Sequence, residues 1–331
     1  MLRKAAAIAV PALESAAQTL SPEIRHAVGV HFGWWDVHGD RCLAPGGKLV
    51  RPALALTSCR AAGGTARQGL PAAVAVELVH NASLLHDDII DRDELRHGRP
   101  TLWAQLGLPA AILAGDALFF LAIDTLATAG GDLAEHGVPA LTATVQELIS
   151  GEYADTLLEH DVTAPLETVE AMAGAKTGAL IAQACALGAL AAHAPTATTR
   201  HLTAFGAHLG MAFQCVDDTL GIWGDPEATG KPVYSDLRSR KNSLPVAAAL
   251  ATHSHHADQL RALYQRTDPF TDDELPTVAD LVEQAGGRQW AQQEAARHLR
   301  AARQHLTVAH LQPGPAAELL AIAELLAVRD R

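Results

Sequence analysis

Apolar residues recur at helical spacing along almost the whole chain. The pattern is clearest in two stretches, 75–88 and 209–218, where apolar residues lie three or four positions apart and the stretch ends in paired aspartates. Breaks between the periodic segments fall at glycine and proline. The predicted helices are 5–20, 22–37, 49–62, 70–91, 108–129, 139–159, 166–193, 198–223, 242–252, 256–266, 273–285, 288–309 and 315–328. The sequence therefore predicts an all-α protein.

The composition agrees with this prediction and narrows the classes of partner. Aromatic residues make up only 4% of the chain, while alanine and leucine dominate, as is typical of helices. A net charge of −12 argues against binding nucleic acid or an anionic membrane surface. No low-complexity segment divides the chain, so we expect a single domain over residues 1–331. The longest irregular stretch is expected at 224–240, where loops of such length usually serve function.

The cysteines and the apolar segments bear on the cellular compartment. The four cysteines show no spacing typical of a metal site, which favours a reduced, cytoplasmic setting. Residues 177–194 carry no charge and approach the length of a membrane span. Because Gln183 and His193 interrupt this segment, we interpret it as a buried core helix and expect no membrane span.

The paired aspartates are the strongest chemical signal. In a helix, Asp87 and Asp91 would lie about 40° apart around the axis and about 6 Å along it. Two unit charges ~4 Å apart repel by about 4 kcal/mol at an effective dielectric near 20, so a cation is expected between them. Hard carboxylate oxygens suit Mg²⁺ bound together with substrate phosphates. One such cluster could merely solvate a helix end, but Asp217-Asp218 repeats the arrangement after a second apolar helix.

Lysine is rare in this chain, which makes its positions informative. Only five of the 25 basic residues are lysine, so a retained lysine indicates a position that favours a compact ammonium group over a planar guanidinium. Lys48 follows two glycines, Lys176 precedes Thr177, Lys231 lies between glycine and proline, and Lys241 follows arginine. These four contexts suggest a function, with chance placement as the alternative, since five lysines are a small sample.

Taken in order, the motifs resemble those of the trans-isoprenyl diphosphate (polyprenyl) synthases, from about residue 44 to 250. The stretches that carry the resemblance are Gly46-Gly47-Lys48-Leu49-Val50-Arg51-Pro52, Val76-Glu77-Leu78-Val79-His80, Leu85-His86-Asp87-Asp88-Ile89-Ile90-Asp91, Arg96 to Thr101, Lys176-Thr177, Phe213-Gln214 with Asp217-Asp218, Gly230-Lys231-Pro232, Asp236-Leu237-Arg238 and Lys241 with Leu244-Pro245. Each is weak alone, whereas the ordered set is highly specific.

The resemblance implies a helical bundle around a deep central cavity, a cytoplasmic homodimer, and Mg²⁺-dependent, head-to-tail condensation of isopentenyl diphosphate with an allylic diphosphate. It implies three Mg²⁺ ions per active site, held by Asp87, Asp91 and Asp217, with Asp88, Asp218 and Asp236 at or just beyond them. Arg96, Lys176, Lys231 and Lys241 would bind the allylic diphosphate. Lys48, Arg51 and His80 would bind isopentenyl diphosphate, and Thr177 and Gln214 would line the reacting centre.

The length of the product is predicted from residues near the first aspartate motif. Ala82 and Ser83 are small and lie about one turn before Asp87, so a growing chain could pass them. Phe119 and Phe120 on the next long helix are candidates for a deeper floor. We therefore expect mainly geranylgeranyl diphosphate, with farnesyl or longer products as alternatives.

Three positions depart from the family pattern. Gly221 stands where the second motif usually has its third aspartate, with Asp225 as a possible substitute through water. Leu49 replaces an arginine, and His97 replaces an arginine that usually contacts isopentenyl diphosphate. These departures keep two alternatives open: a class I terpene cyclase, which needs no isopentenyl site, and a non-catalytic partner subunit of a prenyl synthase.

Overall fold

The computed structural model describes residues 1–42, 47–96, 98–158, 161, 163–226, 232–266 and 268–327. The all-α prediction is confirmed, since the strands within these ranges are only the two-residue β1 (Leu95–Arg96) and β2 (Arg99–Pro100), paired antiparallel. The helices are α1 (Leu2–Ala17), α2 (Pro22–Phe32), α3 (Val50–Ala61), α4 (Ala66–Ile90), α5 (Leu102–Leu106), α6 (Leu108–Ala129), α7 (Val138–Leu158), α8 (Leu166–Ala173), α9 (Ala179–Ala191), α10 (Thr196–Trp223), α11 (Ser235–Arg238), α12 (Leu244–Leu250), α13 (His255–Tyr264), α14 (Leu275–Gln284), α15 (Gly287–Val308) and α16 (Pro313–Ala327).

Local capping explains where several helices begin and end. Thr65 and Gln68 form a capping box at the start of α4, each bonding the other's backbone N–H. The helix predicted at 22–37 ends at Phe32, because Gly33 adopts φ +73° and its N–H bonds back to Val30. Boundaries set by such a left-handed residue are invisible to hydrophobic periodicity.

Two further features differ from the sequence prediction. The stretch expected to be irregular at 224–240 contains α11, so its second half is ordered. Two π-helical turns were not predicted: Leu133–Gly137 precedes α7, and Gly174–Gly178 joins α8 to α9. The second of these turns contains Lys176 and Thr177, and π-helical turns are frequent at functional sites.

The chain forms two compact units, each assembled from separated segments. Unit 1 comprises 1–145, 183–203 and 306–319, and unit 2 comprises 146–182, 204–305 and 320–331. The division follows no single boundary in the sequence, so the expectation of one domain stays a prediction.

Close backbone packing at glycine holds helices together within each unit. In unit 1, a Cβ on Gly188 would lie 2.3 Å from the carbonyl oxygen of Ala55, so α9 approaches α3 directly. In unit 2, a Cβ on Gly210 would lie 2.6 Å from the Cα of Gly178, which fixes α10 against the π-helical turn before α9. Glycine is required at both contacts because any side chain would separate the helices.

Two helices are long and apolar enough to cross a membrane by length and composition alone. One is α6, Leu108–Ala129, and 39% of its most apolar 18-residue window is buried. The other is Leu166–Ala191, which comprises α8, the π-helical turn and α9, and 67% of its corresponding window is buried. The second overlaps the segment that was interpreted as a core helix, and its burial agrees with that interpretation.

Candidate active site

Unit 1 carries the first aspartate motif at the end of α4. A carboxylate oxygen of Asp87 lies within 4.8 Å of one of Asp91, as their spacing of one helical turn predicts. Asp91 is exposed, Asp87 is partly buried and Asp88 is buried. The helix thus ends with one carboxylate in the protein interior and one in water.

Arg96 binds both members of the aspartate pair. Its Nε donates to Asp88 Oδ1 at 2.5 Å and its Nη2 donates to Asp87 Oδ2 at 3.1 Å. Burial raises the pKa of Asp88, and the neighbouring Arg96 charge only partly offsets this effect. For Arg96 itself, burial would lower the pKa, but the charges of Asp88, Asp87 and Asp93 outweigh it and the pKa is raised. The side chain predicted to bind diphosphate therefore neutralises the aspartates here.

A buried polar network lies further back along α4. Asn81 Nδ2 donates to Glu77 Oε1 at 3.1 Å, and Asn81 Oδ1 lies 3.0 Å from His31 Nε2. Burial raises the pKa of Glu77 and lowers the pKa of Arg51, and the opposite charge of each residue partly offsets the shift of the other. Glu77 thus interacts electrostatically with Arg51, one of the residues predicted to bind isopentenyl diphosphate.

The other residues predicted to bind isopentenyl diphosphate are placed as follows. Lys48 is exposed and His80 is partly buried, while His97 lies outside the described residues. Leu49, which departs from the family pattern, is buried with φ +49° and forms the N-cap of α3. The position where the family usually has an arginine therefore holds a buried apolar side chain and carries no positive charge.

Unit 2 holds Lys176 between two carboxylates that the sequence analysis missed. Lys176 Nζ lies 2.6 Å from Asp155 Oδ2 and 2.9 Å from Glu152 Oε2, both on α7. A Cβ on Gly151 would lie 2.6 Å from the backbone nitrogen of Lys176, so α7 approaches the π-helical turn closely. Two acidic residues three positions apart beside a glycine, within an apolar helix, were the available signal.

A chain of hydrogen bonds and one ion pair connects Thr177, Gln214, Asp218 and Lys241 of unit 2. Thr177 Oγ1 donates to Gln214 Oε1 at 2.6 Å, and Gln214 Nε2 donates to Asp218 Oδ1 at 2.6 Å. The backbone N–H of Leu244 donates to Asp218 Oδ2 at 2.9 Å, and Lys241 Nζ lies 3.9 Å from Asp218 Oδ1. The structure therefore brings together four of the residues that the sequence singled out.

In this hydrogen-bonded chain, burial and neighbouring charges shift the pKa values in opposite directions. Burial raises the pKa of Asp218 to about 6, although Lys241 opposes the shift. Burial alone would lower the pKa of Lys241, but the charges of Asp218, Asp236 and Asp155 outweigh that effect and raise it. Lys241 therefore stays an ammonium group, as binding an anion requires.

The predicted metal ligands suit Mg²⁺. Asp87, Asp91 and Asp217 offer only carboxylate oxygens, the ligand type that Mg²⁺ prefers, with no thiolate or imidazole among them. Asp91 and Asp217 are exposed, so the water molecules that Mg²⁺ retains would have room there. Lys231, predicted to bind the allylic diphosphate, lies outside the described residues.

The four residues predicted to set product length differ in their environments. Ala82 is fully buried, whereas Ser83 is partly buried and donates to the carbonyl oxygen of His80 at 2.8 Å. The ring of Phe119 lies 5.8 Å from that of His86, and Phe119 is partly buried. Phe120 is 77% exposed. A surface position argues against Phe120 as the floor of a cavity in its own protomer.

Comparison with known proteins identifies the class. Residues 34–282 match the family described as polyprenyl synthetase. The chain is 44% identical to a (2E,6E)-farnesyl diphosphate synthase of Mycobacterium bovis, covering 97% of this chain and 90% of that protein. It is 40% identical to a geranylgeranyl diphosphate synthase of Mycobacterium tuberculosis, covering 100% and 93%. The crystal structure of a polyprenyl synthetase from Streptomyces coelicolor superposes with a TM-score of 0.94 at 42% identity, covering 98% of each chain.

The helical fold and the two aspartate motifs thus define a trans-prenyltransferase. The chain belongs to the polyprenyl synthetase family, as the resemblance in its sequence implied, and it is a prenyl diphosphate synthase. Members of this family generally use Mg²⁺, and their substrates are isopentenyl diphosphate and allylic diphosphates.

The buried polar network of His31, Asn81 and Glu77 predicts a specific pH dependence of the free energy of unfolding. Burial lowers the pKa of His31 to about 4, from an ordinary value of 6.5. The unfolded chain therefore binds more protons than the folded protein between these values, so stability falls as pH falls from 6.5 to 4. We expect His31→Gln to remove up to about 2 kcal/mol of this loss, allowing for the partial exposure of the ring.

The measurement is the free energy of urea unfolding at pH 7 and pH 4.5, compared between the variant and the unmodified protein. His136→Gln, at an exposed histidine, is the matched control and should leave the difference between the two pH values unchanged. Parallel pH profiles for His31→Gln and the unmodified protein would contradict the prediction.

Proposed function

We propose that the enzyme condenses isopentenyl diphosphate with an allylic diphosphate, head to tail, and that its main product is all-trans geranylgeranyl diphosphate. Diphosphate leaves the allylic substrate, the resulting allylic cation adds to the double bond of isopentenyl diphosphate, and a proton then passes to the released diphosphate. The observation that carries the proposal is the hydrogen-bonded chain from Thr177 through Gln214 to Asp218, with Lys241 beside it and Lys176 in the same unit.

Developing negative charge on the leaving diphosphate must be stabilised for this reaction to proceed. Ammonium and guanidinium groups held in place before the reaction do so most effectively, because they need no reorganisation. We assign this role to Lys176, Lys241 and Arg96, each of which is held by carboxylates. Lys231 would add a further charge.

Isopentenyl diphosphate is assigned to cationic residues of unit 1. Arg51 and Lys48, with His80, would bind its diphosphate, and the buried Glu77 supports Arg51 electrostatically. His97 would contribute when protonated, since its ordinary pKa lies near 6.5.

Mg²⁺ would be held by Asp87, Asp91 and Asp217, with three ions in each active site. When bound, it neutralises charge on the diphosphate oxygens. Asp88 is already bonded to Arg96 and Asp218 to Gln214, so these two residues would orient their neighbours. Burial supports this assignment, because Asp88 and Asp218 are buried, whereas Asp91 and Asp217 are exposed and Asp87 is only partly buried.

Two alternatives predict different products. A class I terpene cyclase would convert a prenyl diphosphate without isopentenyl diphosphate, and a partner subunit would be inactive alone. One relative, at 36% identity, is named heptaprenyl diphosphate synthase component 2. The relatives with higher identity are named as synthases in their own right, and this favours an active enzyme.

The catalytic proposal predicts that Asp217→Asn reduces prenyl transfer by at least about 100-fold, because it removes one metal-binding charge at constant shape. Asp225→Asn, at another exposed aspartate of unit 2, should retain activity. The assay combines isopentenyl diphosphate with dimethylallyl, geranyl or farnesyl diphosphate, with Mg²⁺ or with a chelator. Elongation that survives the chelator, or no elongation of any primer, would contradict the proposal, and a cyclic product formed without isopentenyl diphosphate would identify a cyclase.

Product length is proposed from the helical positions around Asp87. Ser83 lies four residues before Asp87 and hence on the same face of α4, whereas Ala82 lies about 140° away from it around the axis. Ser83 is also partly buried while Ala82 is fully buried. Ser83 is therefore the better candidate to face the growing chain. The relatives named as farnesyl and as geranylgeranyl synthases show that both lengths occur among similar proteins.

We expect Ser83→Phe to shorten the main product, since a large side chain on the face of Asp87 would block the elongating chain. Phe119→Ala should lengthen it, and Leu325→Ala serves as the control because this leucine of α16 is 54% exposed and lies outside the proposed interface. Mass spectrometry of the product gives the chain length. The same product distribution for Ser83→Phe and Phe119→Ala as for the unmodified enzyme would remove this account.

A homodimer is proposed from the resemblance and from the surface of α6. This helix exposes Ile112 by 44%, Leu113 by 54% and Phe120 by 77%. Large apolar side chains exposed together on one helix are typical of a protein interface. A second copy of this chain is the proposed partner.

If the exposed side of α6 is the interface, Phe120→Asp should convert the dimer into a monomer, since it would place a charge in an apolar contact. Leu325→Asp, at a leucine of α16 that is 54% exposed, is the matched control and should remain dimeric. Light scattering after size-exclusion chromatography gives the molar mass. A monomeric unmodified protein, or a dimeric Phe120→Asp variant, would rule out this surface.

A further inference from the structure

Arg240 follows α11 in a backbone conformation that favours glycine. Its φ is +56°, in the left-handed region. The backbone N–H of Arg240 donates to the carbonyl oxygen of Leu237 at 3.0 Å, and the backbone N–H of Lys241 donates to that of Asp236 at 2.8 Å. These hydrogen bonds form a Schellman motif, in which the left-handed residue after a helix is usually glycine. An arginine at this position therefore costs free energy that a glycine would not.

The guanidinium of Arg240 is anchored to a neighbouring segment of unit 2. Its Nη1 donates to the carbonyl oxygen of Asp268 at 2.7 Å, and its Nη2 donates to the carbonyl oxygen of Tyr264, the last residue of α13. The guanidinium carbon lies 4.8 Å from the ring centre of Phe270 and 5.6 Å from that of Tyr264, and both rings are buried. Two hydrogen bonds and two cation–π contacts therefore fix the side chain and oppose the cost of its left-handed backbone.

The residue after Arg240 is Lys241, one of the cations assigned to the leaving diphosphate. The turn at Arg240 ends α11 and sets the direction in which the backbone continues to Lys241. On the far side of Lys241, the backbone N–H of Leu244 donates to Asp218 Oδ2 at 2.9 Å, and Lys241 Nζ itself lies 3.9 Å from Asp218 Oδ1. Lys241 thus lies between two fixed points of the backbone. Loss of the first would release Lys241, while the second would still hold the start of α12.

We infer that Arg240 is a positioning residue, whose anchored guanidinium holds the left-handed turn that places the ammonium group of Lys241 for diphosphate. The inference rests on the proposed function, in which Lys241 stabilises the charge of the diphosphate. Arg240 acts through Lys241 in this account, because two of its guanidinium nitrogens already bond backbone carbonyl oxygens.

The test is titration calorimetry of inorganic diphosphate in the presence of Mg²⁺, which measures binding without turnover. Arg240→Ala removes the anchor but keeps the cost of the left-handed backbone. The turn should then relax, and binding should weaken by about tenfold, the size expected for loss of one charge-assisted contact. Arg240→Gly also removes the anchor, but glycine adopts the left-handed conformation freely, so this variant should bind more tightly than Arg240→Ala.

A second pair of variants asks whether Arg240 acts through Lys241. Lys241→Gln should weaken diphosphate binding at least as much as Arg240→Ala does. The double variant should bind no more weakly than Lys241→Gln alone, because both changes affect the same ammonium group. A purely structural role of Arg240 would instead give additive losses. Thermal unfolding of each variant gives the temperature below which it is folded, and binding is compared there.

Two controls separate this effect from general damage. His310 also has a left-handed backbone, with φ +51°, but it is exposed and lies in unit 1, so His310→Ala should leave diphosphate binding unchanged. Arg266→Ala removes an exposed arginine between α13 and α14, whose Nη1 donates to Glu274 Oε1 at 2.6 Å. This variant should also bind as the unmodified protein does.

Several results would overturn the inference while Lys241→Gln still weakens binding and the proposed function stands. These are unchanged binding by Arg240→Ala, equal binding by Arg240→Gly and Arg240→Ala, additive losses in the double variant, and a loss of the same size in Arg266→Ala. No diphosphate binding by the unmodified protein, or unchanged binding by Lys241→Gln, would contradict the proposed function and overturn the inference with it.

Discussion

Burial of the Asp218 carboxylate is the constraint on which much of unit 2 depends. Removing a carboxylate from water is costly unless its oxygens are hydrogen-bonded and its charge is opposed. Here Gln214 and the backbone of Leu244 bond the two oxygens, and Lys241 supplies the opposing charge. This requirement fixes the start of α12 against α10. It also orients Gln214, whose Oε1 then accepts a hydrogen bond from Thr177 Oγ1.

The fold was predictable wherever burial follows a helical period. Long helices such as α4 and α6 have apolar residues on the positions that periodicity requires, and both were predicted within a few residues. What the sequence could not provide were features set by a single dihedral angle or by a distant contact. The end of α2 depends on the left-handed conformation of Gly33, and the π-helical turn at Lys176 packs closely against Gly151 of another helix. Neither feature changes the spacing of apolar residues along the sequence.

The same distinction separates the site residues that could be predicted from the sequence from those that could not. Residues carried by ordered motifs, such as Thr177, Gln214 and Asp218, were singled out from the sequence, and the structure brings them together. Glu152 and Asp155 were missed because the partner of both, Lys176, lies on another helix, and spacing in sequence reveals only neighbours on the same helix. A Cβ on Gly221 would lie 2.2 Å from Asp236 Oδ2, a contact between α10 and α11 that spacing in sequence likewise could not reveal.

Ion pairs around the proposed diphosphate-binding side chains bear on how an acidic chain binds an anionic substrate. Two of these side chains are paired with carboxylates: Arg96 with Asp87 and Asp88, and Lys176 with Glu152 and Asp155. Adding diphosphate alone would draw these cations away and leave partly buried carboxylates unopposed, which is costly. Adding Mg²⁺ alone would bring a cation beside guanidinium and ammonium groups. On the proposed function, the two ligands bind favourably together, because Mg²⁺ takes the carboxylates while diphosphate takes the cations. Each ligand therefore strengthens the binding of the other, as linkage requires.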